Sequence, residues 1–143
     1  MTYLGLDIGE RRIGVAVGST DVYLASPAGV IQRNNIETDA ERLGSLARDY
    51  DAERVIVGLP REVDGALGFQ AKSVMEYAGR LQRLTALPFE FQDERYSTAE
   101  ALALRREMGV SEKQGRRSID AAAAAVILQD FFDELRRSGP LQK

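Results

Sequence analysis

The sequence contains no cysteine, no histidine and no tryptophan. The absence of cysteine excludes disulfide bonds, thiolate metal sites and a cysteine nucleophile. The absence of histidine removes the commonest general base, the Ser-His triads and every zinc site with an imidazole ligand. Any chemistry in this protein must therefore use carboxylates, hydroxyls, lysine, arginine or a bound metal ion.

Long apolar runs are also absent, because no stretch approaches the roughly 20 residues that a membrane-spanning helix requires. The N-terminus enters a strand-like pattern at once, without the basic and apolar regions of a signal peptide. We therefore expect a cytoplasmic protein without a membrane partner. The 143 residues, 44% hydrophobic and 29% charged, are typical of one globular domain. We expect that domain to span residues 1–137, with a C-terminal tail at 138–143.

Basic residues do not predominate, since the formal net charge is −3, and this balance does not by itself indicate a nucleic-acid-binding protein. Arginine nevertheless makes up 16 of the 19 basic residues, and its planar guanidinium binds phosphate in a bidentate manner. Residues 105–117 carry five basic and two acidic residues, a local charge of +3. This segment suits a polyanionic substrate, although a solvated loop in an arginine-rich protein has the same composition.

Hydrophobic periodicity predicts five strands and four helices in the order β-β-β-α-β-α-β-α-α. The predicted strands are Thr2–Gly9, Arg12–Gly18, Gly29–Arg33, Glu53–Gly58 and Pro88–Asp93. The predicted helices are Thr38–Tyr50, Gly68–Ala86, Ser97–Glu107 and Ser118–Arg137. We expect Thr38 and Ser118 to be N-caps and Met108–Arg117 to be a basic loop.

Three antiparallel strands followed by β-α crossovers predict an α/β fold with a mixed five-stranded sheet. Right-handed crossovers place the fourth and fifth strands parallel to the first, with helices on both faces of the sheet. This is the layout of the ribonuclease H-like fold.

Asp7 is an acidic residue within an apolar strand, between Leu6 and Ile8. Aspartate is disfavoured in strands, and burial of an unpaired carboxylate is strongly unfavourable. A residue at this position therefore indicates either a functional carboxylate or a turn residue that precedes Gly9.

Two further acidic residues are candidates for the same site. Glu94 follows the fifth strand, a position where a solvent-exposed acid without a function is also common. Asp93 is an equal candidate, because it lies at the end of the same strand. Asp120 shares a helix face with an apolar stripe, so we expect it to point toward the sheet from the first turn of the last helix. That stripe comprises Ala123, Ala124, Ile127, Phe131 and Leu135. The alternative for Asp120 is an exposed acid stabilised by the helix dipole.

If the first strand is central, Asp7, Glu94 and Asp120 converge at one end of the sheet. Clustered carboxylates repel one another, and a divalent cation removes that cost. A site without histidine or cysteine suits Mg²⁺ or Mn²⁺, which prefer oxygen ligands. Two such ions would support phosphodiester cleavage.

Several motifs in this order resemble the YqgF/RuvX family of pre-16S rRNA nucleases and Holliday junction resolvase-like proteins. They are Gly5–Gly9 with Arg11–Ala16, Val57–Pro60 with Asp64-Gly65, Asp93–Arg95 with Ser97-Thr98, and Asp120 with Ala123-Ala124. The resemblance covers nearly the whole chain and implies a ribonuclease H-like fold. It also implies an acidic, metal-binding catalytic triad at Asp7, Glu94 and Asp120.

The resemblance implies a nucleic-acid partner, namely the 5′ end of precursor 16S rRNA during ribosome maturation, with a four-way DNA junction as the main alternative. We expect basic residues near the acids to hold phosphates. These are Arg11, Arg12, Arg95, Arg105, Arg106, Lys113, Arg116 and Arg117. The sequence leaves open whether the protein contacts the ribosome and whether it is a monomer or a homodimer; a resolvase would need a two-fold dimer.

Two functions of other classes stay open at this point. A non-catalytic RNA-binding module would use the same basic residues without the acids. A phosphotransferase is the second, since residues 7–14 also resemble the first phosphate loop of actin and the sugar kinases. Those proteins enclose ATP between two such domains, and 143 residues supply only one.

Overall fold

The computed structural model describes residues 1–60, 68–93 and 112–138, with side chains in the last range from Ile119 onward. Its strands are β1 (Thr2–Ile8), β2 (Arg12–Ser19), β3 (Leu24–Gln32), β4 (Arg54–Leu59) and β5 (Phe89–Asp93). Its helices are α1 (Ile36–Tyr50), α2 (Phe69–Thr85) and α3 (Glu112–Ser138). Within these ranges, no helix combines the length and apolar character needed to span a bilayer. The predicted helix Ser97–Glu107 lies outside the described residues.

The five strands form one mixed sheet in the order β3-β2-β1-β4-β5. β1, β2 and β3 pair antiparallel, whereas β4 pairs parallel to β1 and β5 parallel to β4. The predicted topology is thereby confirmed. Because β1 is central and parallel to β4 and β5, the carboxyl ends of these three strands lie at one edge of the sheet.

Alternation along β1 directs its side chains to two different helical layers. Leu4, Leu6 and Ile8 belong to the larger apolar core, which α1 and α2 cover. Tyr3 belongs to a second core with Ile127, Leu128 and Phe132 of α3. The sheet therefore carries helices on both faces, as predicted, and odd-numbered residues of β1 face α3.

The predicted start of the third strand was wrong. β3 begins at Leu24, five residues before Gly29, and includes Pro27. In the described sheet β3 is an edge strand, where the missing N–H of a proline need not pair with a neighbour.

Both predicted N-caps were also wrong. Helix α1 is capped by Asn35, whose side-chain oxygen accepts a hydrogen bond from the Thr38 amide at 2.8 Å. Helix α3 begins at Glu112, six residues before Ser118, so the predicted loop Met108–Arg117 is helical from residue 112. Asp120 accordingly lies in the third turn of its helix, too far from the N-terminus for the helix dipole to account for it.

Candidate active site

Asp7 occupies the carboxyl end of the central strand on the face that α3 covers. Its neighbours Leu6 and Ile8 point into the opposite core, so the strand's alternation alone directs the Asp7 carboxylate toward α3. The side chain is half-buried there. The sequence predicts Asp7 within an apolar strand, and Asp7 is the penultimate residue of β1.

Asp120 is brought to the same place by the close approach of α3 to the sheet. Gly14 pairs with Asp7 in the β1–β2 register. A Cβ on Gly14 would lie 1.8 Å from the backbone oxygen of Asp120, and a Cβ on Gly5 would lie 2.9 Å from the Cβ of Leu128. The α3 backbone can rest on β1 and β2 only because both positions are glycine.

This glycine pair was not among the predicted site residues. The small residues Ala121–Ala125 indicated that the helix could approach closely, and Ala121 to Ala124 are indeed buried. The matching signal on the sheet side was also present, since Gly5 and Gly14 interrupt strands that are otherwise apolar. Each occupies a position that faces α3.

The environment of Asp7 disfavours its charged form. Burial raises the pKa of Asp7 from 3.8 to about 6, and the negative charge of Asp120 acts in the same direction. Ionised Asp7 is therefore held in an environment that disfavours its charge. A cation between the two carboxylates would relieve both the burial cost and the repulsion.

Arg12 supplies one positive charge to this site. Its Nε donates a hydrogen bond to Oδ2 of Asp120 at 2.6 Å, and both side chains are partly buried. The sequence predicts Arg12 as a phosphate-binding residue, whereas the structure pairs it with the acid across from Asp7. Arg11, which precedes it in the turn, is exposed.

The third predicted acid, Glu94, lies outside the described residues. Asp93, its rival on sequence grounds, is the last residue of β5. The preceding Gln92 faces α3, where its Nε2 donates to Glu134 at 3.2 Å. By alternation, Asp93 lies on the opposite face of the sheet from Asp7. Within the described residues, no group of three acidic side chains is positioned to hold a metal ion.

The other predicted phosphate-binding residues are only partly described. Lys113, Arg116 and Arg117 lie on the first two turns of α3, which leads to Asp120. Arg95, Arg105 and Arg106 lie outside the described residues. The local charge of +3 in residues 105–117 thus precedes the Asp120 end of the site directly in the chain.

The donor chemistry of the site fits a hard divalent cation. The side chains of Asp7 and Asp120 offer carboxylate oxygens only, and the chain has neither histidine nor cysteine to favour a softer metal. Mg²⁺ is held in proteins by one or two carboxylates together with waters and substrate phosphates. Asp7 and Asp120 supply two such carboxylates.

Comparison with known proteins places the chain in a family. The family model described as "RuvX: Holliday junction resolvase" matches residues 1–134. The chain is 40% identical over 133 residues to a protein of Anaeromyxobacter sp. (strain Fw109-5) named "Putative pre-16S rRNA nuclease", covering 93% of this chain and 97% of that protein. A protein of the same name from Moorella thermoacetica is 39% identical over 139 residues, covering 97% of this chain and 99% of that protein.

Solved structures support the fold. Thermus thermophilus RuvC in complex with a Holliday junction substrate is similar, with a TM-score of 0.57 and 17% identity over 96% of this chain and 97% of that chain. The fowlpox virus resolvase in complex with Holliday junction DNA has a TM-score of 0.57 and 8% identity, over 94% and 99% of the two chains. At these identities the likeness concerns the fold, and it agrees with the ribonuclease H-like layout predicted from the sequence.

Proposed function

The chain belongs to the RuvX family, and we propose that it is a metal-dependent nuclease whose catalytic centre includes Asp7 and Asp120. The observation that carries this proposal is the placement of the two carboxylates. Asp7 lies at the end of β1 on the face that α3 covers, and the backbone of Asp120 rests against Gly14, the residue paired with Asp7. The negative charge of Asp120 accordingly adds to burial in raising the pKa of Asp7. Two neighbouring, partly buried carboxylates lower the stability of the folded protein, so their presence favours a role in function over a role in stability.

Asp7, Asp120 and Glu94 would hold Mg²⁺ or Mn²⁺, with Glu94 assigned by the family resemblance alone. When bound, such ions stabilise the attacking and leaving oxygens of a phosphodiester during cleavage. The chain's own contribution is to fix the ligands. The backbone of β1 positions Asp7, the glycine contact at Gly14 positions Asp120, and Arg12 orients the Asp120 carboxylate through its hydrogen bond.

Basic residues around this centre would hold the phosphates of the substrate. Arg11 is exposed in the turn after β1, and the first turns of α3 carry Lys113, Arg116 and Arg117. Arg95, Arg105 and Arg106 join them in the proposal. A local charge of +3 on a chain of net charge −3 would attract a polyanion.

The substrate we favour is the 5′ end of precursor 16S rRNA, cleaved in the cytoplasm during ribosome maturation. The names of relatives about 40% identical over nearly the full chain support this choice. A four-way DNA junction is the second candidate, supported by the description of the family model. The two substrates differ in what they require, because symmetric cutting of a junction needs a two-fold dimer, whereas RNA processing can be done by a monomer.

A cleavage assay with three labelled substrates tests the proposal. These are a precursor 16S 5′ fragment, an unrelated single-stranded RNA and a four-way DNA junction, each with Mg²⁺, Mn²⁺ or EDTA. We expect metal-dependent cleavage of the precursor fragment in preference to the other two. Symmetric junction cutting would favour the resolvase. Binding of RNA without cleavage under any metal condition would favour the RNA-binding module and contradict the proposal.

A further inference from the structure

A cavity lies beside the carboxyl end of β1, on the face of the sheet away from Asp120. Its volume is about 280 Å³, slightly below the range of about 300–1,000 Å³ that holds a drug-sized ligand. That volume suits a group as small as one nucleobase. The side chains and backbone that line it include Gly9, Glu10, Arg33, Phe69, Ser73 and Tyr77.

The rim of this cavity carries an aromatic ring that the fold does not use. Phe69, the first residue of α2, is 87% exposed, the highest value among the exposed large hydrophobic residues that the structure describes. An aromatic side chain so exposed adds little to the core. Its flat apolar face is suited to stacking on a base, because every base has a π-face.

The floor of the cavity is held in place by a chain of contacts. The Arg33 guanidinium lies 3.9 Å from the centre of the Tyr77 ring, and its Nη1 donates to the Gly9 carbonyl at 2.6 Å. The Tyr77 hydroxyl donates in turn to the carboxylate of Asp39, which is 1% exposed. The Arg33 hydrogen bond also ties the cavity to the turn that follows Asp7, and so to the strand that carries the proposed metal site.

The polar groups of the cavity match the edge of a base better than a phosphate. Gln70 and Ser73 offer hydrogen-bond donors and acceptors, and Glu10 offers a carboxylate that would repel an anion but accept from a base amino group. The Arg33 guanidinium is already engaged by the Tyr77 ring and the Gly9 carbonyl, so its role in the cavity is to hold the floor in place.

We infer that this cavity binds one nucleobase of the substrate strand, adjacent to the scissile phosphate, with Phe69 stacked on that base. The inference rests on the proposed nuclease function and adds a specificity site to it. Gly9 is two residues beyond Asp7, which corresponds to roughly 7 Å along a strand. A strand that crosses the sheet edge at Asp7 would thus pass the mouth of the cavity.

The test uses single-stranded RNA oligonucleotides that span the precursor 16S 5′ cleavage site, each with 2-aminopurine at one position. Binding to the metal-free protein in EDTA is followed by anisotropy and by 2-aminopurine fluorescence, which stacking quenches. We expect quenching at one position next to the cleavage site. Phe69→Ala should abolish it and weaken binding by about five-fold or more, the lower end of the range for loss of one stacked base.

Two variants serve as controls. Leu84→Ala removes another exposed hydrophobic side chain at the far end of the same helix and should leave quenching and affinity unchanged. Phe69→Tyr keeps the ring and should preserve quenching. If quenching is absent at every position, or is the same in Phe69→Ala as in the original protein, the inference is wrong.

The same oligonucleotides, incubated with Mn²⁺, separate this inference from the proposed function. Metal-dependent cleavage without any quenching would overturn the base-binding cavity and leave the nuclease intact. Quenching that depends on Phe69, without cleavage under any metal condition, would overturn the nuclease and keep the cavity. Failure to bind the RNA at all would overturn both.

Discussion

Arg12 and Asp120 form an ion pair across 108 residues of sequence, with 2.6 Å between Nε of the arginine and Oδ2 of the aspartate. The pair joins β2 to α3 beside Asp7, at the point where the helix rests on the sheet. Arg12 therefore places a positive charge where two acidic side chains would otherwise repel each other unopposed. In the metal-free protein this guanidinium takes over part of the role that we assign to the cation.

Replacement of Arg12 should separate stability from metal affinity. Arg12→Gln should lower the free energy of unfolding in EDTA by about 1 kcal/mol, because Asp120 loses a partly buried charged hydrogen bond. The same change should tighten Mn²⁺ binding, since the loss of a competing positive charge outweighs the loss of the hydrogen bond that orients Asp120. Chemical denaturation and Mn²⁺ titration measure the two effects. Arg54→Gln is the matched control, because Arg54 contacts Glu90 at 3.6 Å in a more exposed pair away from the site.

Asp7→Asn should stabilise the metal-free protein above pH 6. The folded-state pKa of Asp7 is raised to about 6 from 3.8, so the unfolded chain loses this proton first, and stability falls as the pH rises between the two values. The asparagine variant avoids that loss, which amounts to at most about 3 kcal/mol. Chemical denaturation in EDTA should show that Asp7→Asn has a higher unfolding free energy than the original protein at pH 8. At pH 4 the difference due to the Asp7 charge should disappear.

Added Mn²⁺ should make the original protein more stable than Asp7→Asn at pH 8. The original protein gains stability from the bound ion, whereas Asp7→Asn has lost a ligand and gains less. A variant that is equally stabilised by Mn²⁺ would contradict the assignment of Asp7 as a metal ligand.

Gly14→Ala should disrupt both fold and site. The added Cβ would meet the Asp120 backbone, which cannot move without displacing α3, so we expect a loss of more than about 2 kcal/mol in unfolding free energy and a loss of cleavage. Gly79→Ala is the control within α2, where the nearest atom to the new Cβ is the end of the Arg83 side chain at 3.9 Å. That variant should gain about 0.5–1 kcal/mol from helix propensity. If Gly14→Ala and Gly79→Ala have the same unfolding free energy and cleavage activity, α3 does not need the glycine contact.

Tyr77→Phe should destabilise the protein by about 1–3 kcal/mol. The variant removes a hydrogen bond to Asp39, leaving that buried carboxylate with the Asn34 amide as its other described partner, at 2.9 Å. Tyr50→Phe alters a tyrosine that is 40% exposed and should change stability by less than about 0.5 kcal/mol. Thermal unfolding of both variants, compared at neutral pH, distinguishes the buried contact from a general effect of losing a hydroxyl.

The sequence predicts most of this fold because its strong signals are local. Strands β1, β2 and β4 are apolar runs, whereas β5 alternates between apolar and polar residues. The observed bounds of all four differ from prediction by no more than one residue at either end. The start of β3 was missed because Pro27 reads as a boundary, although an edge strand tolerates it. The start of α3 was missed because residues 112–117 are charged or polar apart from Gly115. They contain no apolar stripe, so hydrophobic periodicity does not indicate a helix there.

The sequence likewise predicts some features of the candidate site, whereas others depend on the tertiary structure. The apolar stripe of the last helix predicts that Asp120 points toward the sheet. That Asp7 lies on the same side follows from the structure, where odd-numbered residues of β1 face α3. Pairing of Arg12 with Asp120 depends on tertiary structure, since no local pattern links residues so far apart. A glycine within a strand indicates a close contact at Gly14, but only the structure shows that the contact is with Asp120 of α3. Glu94 stays a prediction from the family resemblance.

The most direct test of the account is the single-turnover rate at which Asp7→Asn cleaves a precursor 16S 5′ fragment in Mn²⁺. The variant should fold, as circular dichroism and unfolding in EDTA will show, because the substitution removes a charge that the folded state disfavours. We expect its rate to fall by at least about a hundred-fold relative to the original protein, because loss of a metal ligand should cost no less than loss of a residue that only supports a ligand, which costs roughly 10–100-fold. A folded Asp7→Asn protein that cleaves the fragment at the original rate would contradict the assignment of the centre to Asp7 and Asp120.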